Sequence, residues 1–152
     1  MTSRKKRWAV LAVVLLAYSL SWALPTPPAS TELAVTIIDH ELRTPTSYLI
    51  QNINNDPPFY VSVVNDHRLS DPAPEQLTAL SSARVKFLPG STQAPNHGTS
   101  LVIGSPRPIG MSIYRVNFSY SCGSLCASGN MAILFFDRSH WHVIRAYLTF
   151  VS

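Results

Sequence analysis

Lysine is almost missing from the body of this 152-residue chain. Four of its twelve basic residues are Arg4, Lys5, Lys6 and Arg7, and beyond Leu24 the single lysine is Lys86. That body carries eight positive residues against eight negative, so its net charge is near zero and the basic isoelectric point belongs to the first seven residues. A nucleic-acid partner needs clustered Lys and Arg to neutralise phosphates, and this balance argues against one. Cysteine is scarcer still: Cys122 and Cys126 are the only two. No Gly-x-Ser-x-Gly elbow is present, although nucleophilic catalysis wants a Ser or Cys with a base and an orienting acid. Proline stops at Pro108, with all twelve at or before it, so the chain beyond is free to run as uninterrupted strands. Internal repeats and low-complexity tracts are lacking as well.

What is there begins with an export pattern. Residues 4–7 form a positive region, Trp8 to Tyr18 is an uncharged apolar run, and Ser21-Trp22-Ala23 offers small residues where a signal peptidase reads. The pattern predicts a signal peptide over 1–23, or an uncleaved anchor, with the body outside the cytoplasm because the positives stay inside. The expected location is the periplasm, or the outer face of a bacterial cytoplasmic membrane. Membrane contact is expected only through an uncleaved N-terminal segment. Pro25, Pro27 and Pro28 make 24–30 an extended linker, and 31–152 is one domain.

From Thr31 to Leu42, Leu33, Ile37, Ile38 and Leu42 recur at helical spacing, with Ser30 or Thr31 placed to cap and Glu32 in the first turn. Thr44-Pro45-Thr46 ends that helix. Tyr48 to Ile53 is apolar with no clear period, and Asn54 to Pro58 reads as a turn. Phe59 to Val64 is a strand by its aromatic and β-branched content. Asp71-Pro72-Ala73-Pro74-Glu75 opens a short helix through Ala83, Pro89 to Gly98 is rich in turn formers, and Thr99 to Ile103 is a short strand before Pro106 and Pro108. Beyond them Tyr114, Val116, Phe118 and Tyr120 alternate with Arg115, Asn117 and Ser119, a half-buried strand. Asn130 to Phe136 is apolar on both sides and suits a central strand. Asp137-Arg138-Ser139 is a hairpin turn, and His140 to Val151 continues as a strand with Ile144, Ala146, Leu148 and Phe150 facing one way. The fold class expected is α+β, an N-terminal amphipathic helix packed on an antiparallel β-meander and preceded by the signal peptide.

The loop of that meander holds both cysteines. Outside the cytoplasm two cysteines normally oxidise to each other, which makes Cys122–Cys126 the expected disulfide. Five extended residues span about 13 Å, whereas a disulfide holds its Cα atoms about 4.4–6.8 Å apart. A bonded loop must therefore bend, and Gly123 gives it the freedom.

Tyr120, Cys122, Gly123, Leu125, Cys126, Gly129, Trp141 and the closing Thr149-Phe-Val-Ser152 carry a family likeness. The C-terminal block resembles that of a group of small exported bacterial proteins of unsettled function, which show aromatic-x-Cys-Gly-x-Leu-Cys-x-x-Gly, an apolar strand, a turn with Trp and a final strand. The resemblance covers about the last 40 residues well. It implies export and a helix-plus-meander fold, and no activity. Where the group carries Gly-Lys before its tryptophan, this chain has Ser139-His140.

Chemistry-bearing residues are few. Cys122 and Cys126, with His140 and His142, compose a soft donor set of a kind zinc or copper accepts, and the two histidines would project from one face of a strand. Structural zinc sites space their histidines three to five apart, and an exporting compartment favours the disulfide. A thiol-redox pair would use Cys-x-x-Cys at a helix start, and here the spacing is one longer, within a hairpin. Asp66-His67 and Asp39-His40 are adjacent pairs whose side chains diverge, and each reads as a solvated turn or a helix end. Arg145, placed on the side of Trp141 and Tyr147, would stack on the rings or bind an anion. The reading assigns no catalytic residue and no cofactor. The expectation is a non-enzymatic binding or structural accessory domain of the envelope, its partner an envelope protein or small ligand. The alternative is a metal-binding or thiol-redox protein using Cys122, Cys126, His140 and His142.

Overall fold

The structure, a computed structural model, describes residues 8, 12–14, 30–52, 58–81, 85–94, 97–122 and 127–151. The expected signal peptide and linker therefore lie almost wholly outside the described residues, as do Gly123 and Cys126. Among the described residues no helix is long and apolar enough to cross a membrane.

Helix α1 (Thr31–Arg43) forms where the 3.6-residue spacing placed it. The Ser30 hydroxyl accepts from the Leu33 amide at 3.3 Å, satisfying one orphan donor of the first turn. At the other end Arg43 pairs with Asp39 one turn back, and Thr44 leaves helical geometry ahead of Pro45. Leu33, Ala34, Ile37 and Ile38 are fully buried. The undecided apolar stretch becomes a one-turn helix, α2 (Tyr48–Asn52), capped by Ser47, whose hydroxyl accepts from the Ile50 amide.

The strands are β1 (Phe59–Asn65), β2 (Arg68–Ser70), β3 (Phe87–Pro89), β4 (Thr99–Ile103), β5 (Arg107–Gly110), β6 (Ile113–Ser121), β7 (Ala127–Phe136) and β8 (Trp141–Val151), with helix α3 (Pro74–Leu80) between β2 and β3. They make one eight-stranded sheet, ordered β2-β1-β4-β6-β7-β8, with β3 also beside β1 and β5 beside β6. This corrects the expected α+β architecture of a helix on an antiparallel meander. The meander β6-β7-β8 exists, but it is only part of a mixed, strand-dominated sheet in which β1 runs parallel to both β3 and β4 while β2, β5 and the β4–β6 pair add further antiparallel ladders. The parallel part comes from the proline-rich middle of the chain. A parallel neighbour needs a crossover rather than a hairpin, and α3 lies on that crossover, with Leu77 buried against the core.

Short strands hide there. Asp66 and His67, both at positive φ (48° and 63°), form the two-residue turn of a β1–β2 hairpin. Pro108 sits in β5, a four-residue strand paired only with β6, where a missing amide costs no ladder bond on its open side.

One sheet face is covered by the helices. Phe59, Val61, Val63, Leu101, Ile103, Val116, Phe118, Tyr120 and Leu134 point into it, and the expected alternation of β6 holds throughout. Strand β8 departs from expectation. Two bulges interrupt its ladder, between the Leu134–Val143 and Ile133–Arg145 pairs and again between Asn130–Leu148 and Gly129–Phe150. Each inserts an unpaired residue, Ile144 and Thr149, and resets the alternation. Ala146 and Leu148 therefore share a face, while Phe150 lies with Tyr147 and Arg145 on the opposite one. Trp141, expected beside Arg145, is instead buried on the helix side against Tyr114 and Phe136. Phe135, Tyr147 and Phe150 stand exposed on the open face.

Candidate functional site

Glu41 continues the apolar stripe of α1. It lies seven residues after Ala34 and four after Ile37, so helical geometry turns its carboxyl inward with them, and the residue is 4% exposed. Its Oε2 accepts from the Tyr120 hydroxyl at 3.2 Å. That phenol comes from the inner face of β6 and is fully buried. Tyr48 stacks on its ring at 4.9 Å between centroids, and Phe59 and Phe118 meet it edge-on. The rings therefore hold the hydroxyl in place, and the hydroxyl marks where the carboxyl must be.

Beside Glu41 opens a cavity of about 380 Å³ between α1, α2 and the β7–β8 ladder. Glu41, Ser47, Tyr48, Gln51, Asn130 and Leu148 are among its walls. Most of its polar groups are already committed. The Ser47 hydroxyl donates to the Glu41 carbonyl at 2.7 Å, that of Thr44 donates to the His40 carbonyl, and the Gln51 amide donates to the Thr46 carbonyl. Asn130 is different: its Nδ2 is buried with no hydrogen-bond partner among the described residues. The Ser128 hydroxyl, two residues along the same face, is in the same position.

Burial pushes the Glu41 carboxyl above its ordinary value, and the hydrogen bond from Tyr120 pulls only partly the other way. Desolvation, and then the adjoining Glu41 charge, hold the Tyr120 phenol well above its ordinary value, so it stays a protonated donor. No ion pair reaches Glu41 among the described residues. A buried acid with no cation beside a cavity is the arrangement that a ligand carrying a donor or positive charge completes. The Ser47 and Thr44 hydroxyls donate to backbone carbonyls, and no nucleophile–base pair faces the cavity among the described residues. The arrangement can bind and orient a ligand.

The residues singled out from sequence fall elsewhere. Cys122 follows β6 and is not a free thiol; its expected pairing with Cys126 lies outside the described residues. His140 and His142 sit at the β7–β8 turn. There the His142 Nε2 lies 2.9 Å from Asp137, and the Ser139 hydroxyl 2.8 Å from the His140 Nδ1. These bonds, the one from His142 foremost and then the backbone amides of His140 and Ser139, hold Asp137 well below the usual carboxylate range. Strand β7 separates the turn from Cys122: its ten residues span about 33 Å at about 3.3 Å each. The fold does not bring Cys122 to the two histidines, and no group of three metal-ligating side chains forms among the described residues. The Arg145 guanidinium lies over the Tyr147 ring, 4.8 Å from its centroid. Asp39 pairs with Arg43.

Sequence reading missed Glu41 and Tyr120 as a pair because 79 positions separate them. One signal was available: a carboxylate on the apolar stripe of a helix, where an uncompensated charge is costly. No protein-family model, curated protein or solved structure matches this chain.

Proposed function

We propose that the protein is an exported, non-enzymatic binding domain of the bacterial envelope, its β6–β7 hairpin crosslinked through Cys122 and Cys126. Its cleft takes a small ligand that presents a positive charge or hydrogen-bond donor on an apolar body. The observation that carries the reading is Glu41: a buried carboxyl with Tyr120 as its partner and, among the described residues, no cation, lining one cavity with an Asn130 side-chain amide that has no partner among them. A cationic group entering there meets a carboxylate whose desolvation the fold has already met, and the apolar walls, Leu148 and Val151 among them, accept its hydrocarbon part.

Isothermal titration with butylamine and phenethylamine, against butanol and 2-phenylethanol, tests this. The amines bind, and the neutral alcohols bind at least about tenfold more weakly, the range of a charge-assisted hydrogen bond. Glu41→Gln erases the difference. Equal binding of amine and alcohol, or an undiminished preference in the variant, overturns the reading. Export is checked separately: N-terminal sequencing of protein recovered outside the cytoplasm yields a chain starting near Leu24 or the intact anchor, and recovery in the cytoplasm alone refutes it.

A further inference from the structure

Two arginines face each other on the open side of the sheet. Arg107 of β5 and Arg115 of β6 are direct cross-strand partners, and like charges so placed repel. Neither side chain has an ion pair or hydrogen bond among the described residues. Arg115 is the sharper case, because its Nε is buried with no hydrogen-bond partner among the described residues. Both line a cavity of about 370 Å³ together with Val64, Asp66, His67, Gly104, Ser105 and Asn117. Its rim is shaped tightly. The Gly104 amide donates to the Asn117 carbonyl at 2.8 Å, and a Cβ on Gly104 would stand 2.9 Å from that oxygen. The Ser105 hydroxyl is tied to the Val64 carbonyl at 2.6 Å, and Asp66 and His67 are held at positive φ in the adjoining turn. Asp66 is the one acid of the lining, and it bonds to neither arginine.

We propose that this pocket is a binding site for a dianionic oxyanion of the phosphate class, free or as a monoester, held between Arg107 and Arg115. The chemistry follows from what each group lacks. Guanidinium forks match tetrahedral oxyanions through paired N–H donors, and two fixed positive charges call for two negative ones. An anion between the arginines converts their repulsion into attraction and gives the Arg115 Nε an acceptor. The site is on the opposite sheet face from the Glu41 cleft and does not depend on it.

Calorimetric titration of the full chain with inorganic phosphate, glycerol 3-phosphate and acetate, each against chloride at matched ionic strength, is the test. Phosphate and its ester bind and shift the Gly104 and Asn117 amide resonances; acetate binds at least about tenfold more weakly. Tighter binding of glycerol 3-phosphate identifies esters as the natural source, and tighter binding of inorganic phosphate identifies the free ion. Arg107→Gln, at an exposed position, folds normally and weakens phosphate binding about tenfold or more, as does Arg115→Gln. Arg43→Gln removes the same charge from the far end of α1 and leaves binding unchanged. Phosphate binding no tighter than chloride, or retained in Arg107→Gln, overturns the proposal whatever becomes of Arg115→Gln.

Discussion

Removing one oxygen atom from Tyr120 measures how the buried Glu41 is tolerated. Tyr120→Phe keeps the ring, and with it the stacking on Tyr48 and the edge contacts with Phe59 and Phe118, while deleting the donor 3.2 Å from the carboxyl. A buried acceptor left without its partner costs about 1–3 kcal/mol, or about 4–12 °C in Tm for a domain of this size. The loss depends on pH, and its sign follows from the raised position of Glu41. Because the folded state holds this proton more tightly than the unfolded chain, stability from the group is complete below its ordinary value of 4.5 and declines as pH rises through the folded value. Taking away the Tyr120 hydroxyl, which lowers the folded value, makes the decline steeper. Tyr120→Phe therefore loses little at pH 4 and most at pH 7. Glu41→Gln, whose amide oxygen still accepts from Tyr120, gains on the wild type as pH rises over the same window. Urea unfolding followed by the fluorescence of Trp141, which is 4% exposed, reads both variants. An equal Tyr120→Phe loss at pH 4 and pH 7, or a Glu41→Gln curve parallel to the wild type, refutes the reasoning.

Two glycines predict opposite outcomes. Gly98 has φ +66° and its added Cβ would stand 2.3 Å from the Pro58 carbonyl oxygen, so Gly98→Ala costs more than about 1 kcal/mol; Gly110 has open space, and Gly110→Ala stays within about 0.5 kcal/mol, both by chemical denaturation. For the cysteine loop, Cys122→Ser costs about 2 kcal/mol or less, the chain-entropy value of so small a ring. The same loss under a reductant in the wild type supports a local crosslink, and a global loss of fold argues against it.

Much of the local structure was legible because it is decided locally. Helix α1 announces itself through Ser30, Glu32 and the Leu33-Ile37-Ile38 stripe, and β6 through alternation from Tyr114 to Tyr120. Periodicity of that kind survives wherever one face of an element is buried along its whole length. It failed in β8, where bulges at Ile144 and Thr149 broke the period, and in β3 and β5, which are too short to show one and carry Pro89 and Pro108.

By itself, then, the order of residues determined helix α1 and the longer strands β1, β6 and β7, because capping, turn chemistry and side-chain period act within a few positions. It also determined that the body is charge-balanced, with one lysine and two cysteines. Tertiary structure alone decided that β1 lies parallel to β3 and β4, that Glu41 meets Tyr120, and that Arg107 faces Arg115. The first two join segments far apart in sequence, which only packing of the whole sheet brings together, and the third rests on the register of a hairpin whose first strand is too short to show a period.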